Sequence, residues 1–297
     1  MIGIFGNGQV GQHVAWALDE YGIENKIIGR STPDDIYRYR KTEVQFDMAA
    51  ANAQDIRRLV DGYEAVIYTS ALRDISACEK DRRLADRVNH LVPAVLSSAV
   101  PTIYISTDYV FGKLSPKYIR PITGKIGEGE DPESEFFSFG ASSIYGQTKR
   151  SGEISVLDRG GKVVRISSPF GRWKSPLRHS FVDNLTWQVG KSLSLPTDQI
   201  ISPTYLPAAA GEIVGLLSLA KPAGVYHLAC EGAASFYEIA KTVNDLLKLN
   251  QKISPRLSTQ VDDMLRPTYS ALQNNKLEKQ PFWAEALRQH VKGYTNE

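Results

Sequence analysis

The segment Gly6-Asn7-Gly8-Gln9-Val10-Gly11 constrains this chain more than any other. It follows the apolar run Ile2–Phe5 and leads into a helical pattern in which Val10, Val14 and Leu18 share one face. A strand, a glycine turn with G-x-G-x-x-G spacing and a helix together predict the opening of a βαβ unit that takes a dinucleotide. Gly6 is expected to permit the tight turn, Gly8 to let a pyrophosphate approach the backbone, and Gly11 to let the helix pack closely. Asn7, Gln9 and Val10 complete the cofactor loop, and the helix N-terminus faces the anion.

The alternation continues through the first half. Further strands are predicted at 26–29, 44–46, 65–69, 102–106 and 163–166, with helical stretches around 55–60 and 84–99. Another helix is expected from Ser143, carrying Tyr145, Lys149 and Glu153. This is an α/β chain with a doubly wound parallel sheet, a Rossmann domain over residues 1–166. Beyond it, Pro169, Pro176, Pro196, Pro203 and Pro207 break the alternation. Residues 167–297 are expected to form mainly a smaller C-terminal α/β substrate lobe, with some segments returning to the Rossmann sheet and helices at 235–247 and 282–291. The stretch 113–139, rich in Gly, Pro, Ser and charge, reads as a long loop. A solvated insertion is favoured there over a clasp on a nucleotide diphosphate.

Several function classes fall away. A net charge of +2, with Lys and Arg scattered along the chain, gives no nucleic-acid footprint. Cys78 and Cys230 have no paired spacing, which argues against a disulfide framework or a metal site and suits buried thiols in a reducing cytosol. Met1-Ile-Gly-Ile-Phe5 leaves no room for a signal peptide, and the run of about 18 apolar residues read as a spanning helix is missing. The expectation is a cytoplasmic protein with no membrane partner.

The cofactor can be narrowed. An acidic residue about 20 positions past the glycine loop would hold the ribose of NAD. The second strand ends instead in Gly29-Arg30-Ser31-Thr32. A guanidinium with neighbouring hydroxyls suits a 2′-phosphate, so NADPH is predicted over NADH. Tyr145-Gly-Gln-Thr-Lys149 sets a phenol and an ammonium one helical turn apart. A nearby cation favours the phenolate and brings a tyrosine with an ordinary pKa near ~10 toward the working range. Reduction of a ketone needs a proton on oxygen, which Tyr145 can supply, while Lys149 can tune it and bind the nicotinamide ribose. Ile103-Tyr-Ile-Ser-Thr-Asp108 is an apolar strand ending in polar groups at the mouth of such a site. Thr107 is the hydroxyl chosen to hold the substrate carbonyl. Ser106 has packing as its other reading, and Asp108 a turn.

These residues resemble the extended short-chain dehydrogenases, in particular the dTDP-4-dehydrorhamnose reductase family. The resemblance rests on the glycine loop, Cys78-Glu79 with Ala85-Asp-Arg-Val-Asn89, Ser106-Thr-Asp-Tyr-Val-Phe-Gly112 and Tyr145-Gly-Gln-Thr-Lys149 with Gly152-Glu153. Later matches are Ser202-Pro-Thr-Tyr205, Gly224-Val-Tyr-His-Leu-Ala229 and Arg266-Pro-Thr-Tyr-Ser270. It implies a catalytic set of Thr107, Tyr145 and Lys149. Cofactor contacts would come from the glycine loop, Arg30, Ser31, Asp47, Met48, Ser70 and Ala71, and substrate contacts from Asp108, Ser168 and Arg266. Asn89 is similar to a helix asparagine that supports the site, and His227 reads as structural. Where the family reductases commonly carry Thr-Ser-Trp, this chain has Ile166-Ser-Ser-Pro-Phe170, so its sugar contact is expected to differ.

The implied activity is NADPH-dependent reduction of a nucleotide-linked 4-keto-6-deoxy sugar in deoxysugar or polysaccharide biosynthesis. Two alternatives stay open. One is a sugar-nucleotide epimerase or dehydratase of the same fold, although Tyr109 stands where a dehydratase has Glu. The other is a non-catalytic, NADP-binding regulatory subunit. A homodimer is the assembly this reading allows.

Overall fold

The computed structural model describes residues 1–30, 39–113, 125–132, 140–172, 180–188, 190–260 and 265–295. Six strands open the central sheet: β1 (Ile2–Phe5), β2 (Asn25–Gly29), β3 (Val44–Gln45), β4 (Ala65–Tyr68), β5 (Thr102–Thr107) and β6 (Lys162–Ile166). After two short strands, β7 (Leu193–Pro196) and β8 (Ile200–Ile201), the chain returns to the sheet edge as β9 (Gly224–Leu228). The order is β3-β2-β1-β4-β5-β6-β9. Every pairing is parallel, with Ile4 opposite Ile27 and Ile67, and Arg165 opposite His227. Strand order reverses between β1 and β4, and the crevice beyond their carboxyl ends is where open sheets of this kind bind ligands.

Both faces are covered, which explains why the strands read as continuous apolar runs. On one face α1 (Gln9–Glu20) lays Val14, Ala17 and Leu18 against Ile4, Ile27 and Ile67. The other face carries α2 (Ala53–Leu59), α3 (Ile75–Lys80), α4 (Arg82–Asp86), α5 (Val92–Ser97) and α6 (Ile144–Leu157). There Ile56, Val92, Leu96 and Val156 pack on Phe5, Val66 and Tyr104. Ile4 and Leu18 are wholly buried, and truncating either to Ala is expected to cost about 2–5 kcal/mol.

The stretch 84–99 is not the single helix the pattern predicts. A π-helical turn, Arg87–Leu91, separates α4 from α5. Pro93 is the cause: it has no N–H to give the carbonyl four residues back, that of Asn89. The freed oxygen accepts the Tyr104 hydroxyl at 2.6 Å, so no buried acceptor is lost.

The C-terminal part forms its own core. Its elements are α7 (Phe181–Trp187), α8 (Leu206–Gly215), β10 (Cys230–Glu231), β11 (Ala234–Ser235), α9 (Phe236–Leu247), β12 (Ile253–Arg256), β13 (Tyr269–Ser270), β14 (Gln280–Phe282) and α10 (Trp283–Thr295). Of these α8 joins α1 on the sheet, whereas Val182, Ile239, Val243 and Leu287 gather around Phe170 and Ile201. Helix α9 starts at a capping box in which Glu238 N donates to Ser235 Oγ at 3.1 Å and Ser235 N to Glu238 Oε2 at 2.8 Å. Small sheets β11-β8-β13 and β12-β7 brace the core.

The expectation of a solvated insertion at 113–139 is corrected for its described part. Ile126 is 4% exposed, bridges Leu272 and packs with Val110 and Phe111. Glu128 accepts from Asn275 N at 2.9 Å and Asn275 Nδ2 at 3.0 Å. Lys117 and Arg120 lie outside the described residues. Among the described residues no helix is long and apolar enough to cross a membrane, and no cluster of His, Cys, Asp and Glu is placed to hold a metal ion.

Candidate active site

Helix α6 carries Tyr145 and Lys149. Ser143 caps it, its hydroxyl accepting from Gly146 N at 3.1 Å. Gly146 is required by contact: a Cβ there would stand 2.2 Å from the carbonyl oxygen of Tyr109, so the first turn abuts the end of β5. Tyr145, Lys149 and Glu153 follow at successive turns on one face. Glu153 fixes the rotation of that face through a bidentate pair with Arg165 of β6, Nε to Oε1 at 2.9 Å and the second guanidinium nitrogen to Oε2 at 2.8 Å. Both partners are buried, and removing one would leave an uncompensated charge at about 3–5 kcal/mol.

Lys149 is 1% exposed. Its Nζ donates to Ile105 O at 2.5 Å and stands 3.9 Å from the Tyr104 ring centroid. Burial pulls its pKa from 10.5 down to about 7, against the attraction of Glu153. Tyr145 is half-buried. Burial pushes its phenol pKa upward, a hydrogen bond with Thr107 works against this, Asp108 and Tyr109 add to the rise, and Arg73 opposes it. Without a cofactor the phenol is therefore held protonated.

Thr107 ends β5, where its Oγ1 accepts from Tyr109 N at 3.2 Å. Asp108 is 2% exposed and accepts three hydroxyls: Thr107 at 3.2 Å on Oδ1, and Ser167 at 2.8 Å and Ser270 at 2.6 Å on Oδ2. Burial raises its pKa against those three hydrogen bonds. Arg266 donates to the Tyr109 hydroxyl at 2.6 Å, and the Tyr109 and Tyr145 rings meet edge-on with centroids 5.5 Å apart. A cleft opens here, lined on its polar side by Asp108, Ser168, Arg266 and Ser270 and on its apolar side by Ile201 and Phe236. Ser168 has φ 39°, the left-handed region that costs a non-glycine residue about 1 kcal/mol or more.

The glycine loop sits across the switch point. Gly6 has φ 129°, and a Cβ on Gly11 would fall 2.0 Å from Gly6 O, so the turn and the close approach both need glycine. Gly8 instead faces open space, with nothing within 4 Å of an added Cβ. Helix α1 has no side-chain cap and no acidic residue in its first turn, and the buried Gln9 amide nitrogen has no hydrogen-bond partner. An uncapped positive helix end with a spare donor and an open backbone fits a pyrophosphate. Asn7 is braced from behind by Gln12, and its Nδ2 donates to Thr42 at 2.6 Å. Val10 packs against the core under the loop.

The family described as RmlD substrate binding domain has a model that matches residues 1–297. This chain belongs to that family. Among its relatives is the spore coat polysaccharide biosynthesis protein SpsK of Bacillus subtilis (strain 168), 27% identical over 260 residues, covering 82% of this chain and 85% of that protein. The dTDP-4-dehydrorhamnose reductase of Mycolicibacterium smegmatis is 26% identical over 267 residues, covering 84% and 76%. Among solved structures, the dTDP-4-dehydrorhamnose reductase of Bacillus anthracis str. Ames in complex with NADP superposes with a TM-score of 0.79 at 24% identity, over 98% of each chain.

For this RmlD-family chain, the residues singled out by sequence fall into two groups. Thr107 and Tyr145 meet, Lys149 is held on Ile105 O of the same strand end, and Asp108, Ser168 and Arg266 share one cleft. Ser70 and Ala71 follow β4 beside the glycine loop, with Ser70 N donating to Phe5 O at 2.8 Å. Arg30 is exposed just past β2, whereas nearby Arg40 is occupied by Asp19, Asn25 and Glu43. Ser31 lies outside the described residues.

Three of these residues also have partners within the fold. The Met48 side chain is 7% exposed and packs in the core with Phe5 and Ile28, while Asp47 accepts from Ala49 N at 2.9 Å to hold the turn after β3. Asp108 accepts three hydroxyls on its carboxylate and lines the cleft. Asn89 clips the β4 end, its Oδ1 accepting from Leu72 N at 2.9 Å and its Nδ2 donating to Thr148 of α6 at 3.1 Å. Sequence reasoning missed Tyr109, Ser167, Ser270 and Phe236. Tyr109, Ser167 and Ser270 stood inside quoted segments, Ser106–Gly112, Ile166–Phe170 and Arg266–Ser270, whereas Phe236 carried only a helical pattern.

Proposed function

We propose that this chain is a cytoplasmic NADPH-dependent reductase of nucleotide-linked 4-keto-6-deoxy sugars. The observation that carries the reading is that Thr107 and Tyr145 meet at the carboxyl end of β5, with Lys149 anchored on Ile105 O of that strand, beside a cleft lined from the C-terminal part. Family membership and the dTDP-4-dehydrorhamnose reductases among its relatives support the substrate class. The NADP held by the Bacillus anthracis enzyme, the open glycine loop and the exposed Arg30 support the cofactor.

The reduced nicotinamide supplies the hydride that the carbonyl carbon of the sugar takes up. The chain's own groups handle the oxygen. Tyr145, kept protonated by burial, gives its proton to that oxygen as negative charge develops there. Lys149 is held on Ile105 O and can turn its ammonium to the cofactor ribose and the phenol when the site fills. Arg266 reaches the cleft from the C-terminal part and offers a cation to the nucleotide diphosphate. Ile201 and Phe236 offer the cleft an apolar wall, and Ser168 stands where the family reductases commonly have tryptophan.

The test is to incubate the protein with NADPH and a panel of 4-keto sugar nucleotides and to follow loss of reduced-nicotinamide absorbance. Stoichiometric formation of the 4-hydroxy sugar nucleotide is expected. Cofactor binding without oxidation by any member of the panel would favour a binding role instead.

A further inference from the structure

Arg30 is the first residue past β2, and a hydroxyl from another part of the chain holds its main chain. Thr42, two residues before β3, donates to Arg30 O at 3.2 Å and accepts from Asn7 Nδ2 of the glycine loop at 2.6 Å. Building on the NADPH reading, we propose that Thr42 is a positioning residue for cofactor choice. It ties the main chain at Arg30 to the glycine loop, so that the guanidinium meets the 2′-phosphate of a cofactor lying on that loop, and it does not itself bind the phosphate.

The direction of each proton in this network follows from one main-chain group. Arg40 N can only donate, and it gives its proton to Gln12 Oε1 at 2.7 Å. The other end of that amide is then its nitrogen, which donates to Arg40 O at 2.8 Å and to Asn7 Oδ1. Asn7 therefore turns its own nitrogen to Thr42, whose oxygen accepts. The single hydroxyl proton of Thr42 goes to Arg30 O, which can only accept. Turning either amide over would set donor against donor. Gln12 is 2% exposed on α1, so the network is rooted in the buried side of the helix that the glycine loop opens.

A 2′-phosphate calls for donors. Thr42 gives its proton to Arg30 O, so the donors come from the exposed Arg30 side chain. Arg40 is turned away, its guanidinium on Asp19, Asn25 and Glu43. A bidentate guanidinium–phosphate pair is selective for geometry, so it gains from a fixed main chain at the root of the side chain. NADH has no 2′-phosphate, and its pyrophosphate meets the glycine loop in the same way as that of NADPH. Loosening the main chain at Arg30 should therefore be felt by NADPH and not by NADH.

The test uses the full chain and no sugar: Kd for NADPH and for NADH by fluorescence titration. Thr42→Val keeps the shape of a half-buried side chain and removes the hydroxyl. It is expected to raise the NADPH Kd about three- to tenfold and the NADH Kd less than about twofold, because Asn7 keeps its bond from Gln12. Thr42→Ser, which keeps the hydroxyl, should bind both cofactors within about twofold of wild type. In a chain already carrying Arg30→Ala, Thr42→Val should change the NADPH Kd by less than about twofold, since the side chain that it positions is gone. An equal rise for both cofactors would make Thr42 merely structural and overturn the proposal. So would a full-sized NADPH effect in the Arg30→Ala chain, or none in the chain that keeps Arg30. If Arg30→Ala itself leaves the NADPH Kd in place, the Arg30 reading falls and this proposal with it. A selective loss in Arg30→Ala without one in Thr42→Val sinks this proposal alone, and turnover of 4-keto sugars judges the reductase reading separately.

Discussion

The ammonium of Lys149 is bound to the main-chain oxygen of Ile105 at 2.5 Å, in a pocket where burial has brought its pKa down to about 7. In the free protein it therefore loses its charge near neutrality, more than three units below an ordinary lysine. Affinity for NADPH is expected to weaken about tenfold as pH rises through 7, because the cation is lost. Glu153→Gln removes the carboxylate charge that holds the pKa up and should move the transition to lower pH. Fluorescence titration of NADPH at a series of pH values measures both, and Lys149→Gln should show no such transition.

Two glycines of one loop should respond differently to the same methyl group. Gly8→Ala meets nothing within 4 Å, so the melting temperature should hold while the cofactor Kd rises at least tenfold. Gly11→Ala drives a Cβ into Gly6 O and should cost about 1–3 kcal/mol of stability as well as cofactor binding. Calorimetry on the free proteins separates the two.

His13 and His227 should make the fold acid-sensitive. His13 is wholly buried, takes Arg172 N at 3.1 Å on Nε2 and has Nδ1 2.8 Å from Gln9 O, an arrangement only the neutral ring satisfies. Burial lowers its pKa from 6.5 to about 4, and burial with Arg165 does the same for His227. Since the folded values lie below the unfolded one, the stability they contribute is complete above 6.5 and is lost as pH falls toward 4. Urea midpoints between about pH 6.5 and pH 5 should record a loss on the order of 2 kcal/mol per histidine. His13→Gln should reduce the slope.

Arg30, exposed just past β2, is proposed to set the cofactor preference. Arg30→Ala should lower kcat/KM for NADPH about tenfold or more and leave that for NADH nearly unchanged. An unaltered ratio would remove Arg30 from the cofactor site.

The sheet was legible because its strands are buried on both faces and so read as unbroken apolar runs bounded by glycine or polar residues. The ranges predicted from Ile2–Phe5 to β6 agree with the structure to within a residue at either end. The π-helical turn was not legible, because Pro93 sits within a stretch whose apolar spacing is helical throughout. Tyr145 and Lys149 were visible because one element holds both. The Asp108 cluster was not: Thr107, Ser167 and Ser270 lie 163 positions apart at the extremes, and only folding brings their hydroxyls to one carboxylate. The short strands β10, β11, β13 and β14 carry too few residues for any period to register.

The central claim is that Tyr145 gives the proton in a reduction that uses NADPH. Its most direct test is the rate of NADPH oxidation with a nucleotide-linked 4-keto-6-deoxy sugar, measured for the wild-type protein and for Tyr145→Phe, together with the NADPH Kd of each. The account predicts turnover by wild type, a loss of about a hundredfold or more in Tyr145→Phe and an unchanged Kd. Equal rates for the two proteins would contradict it.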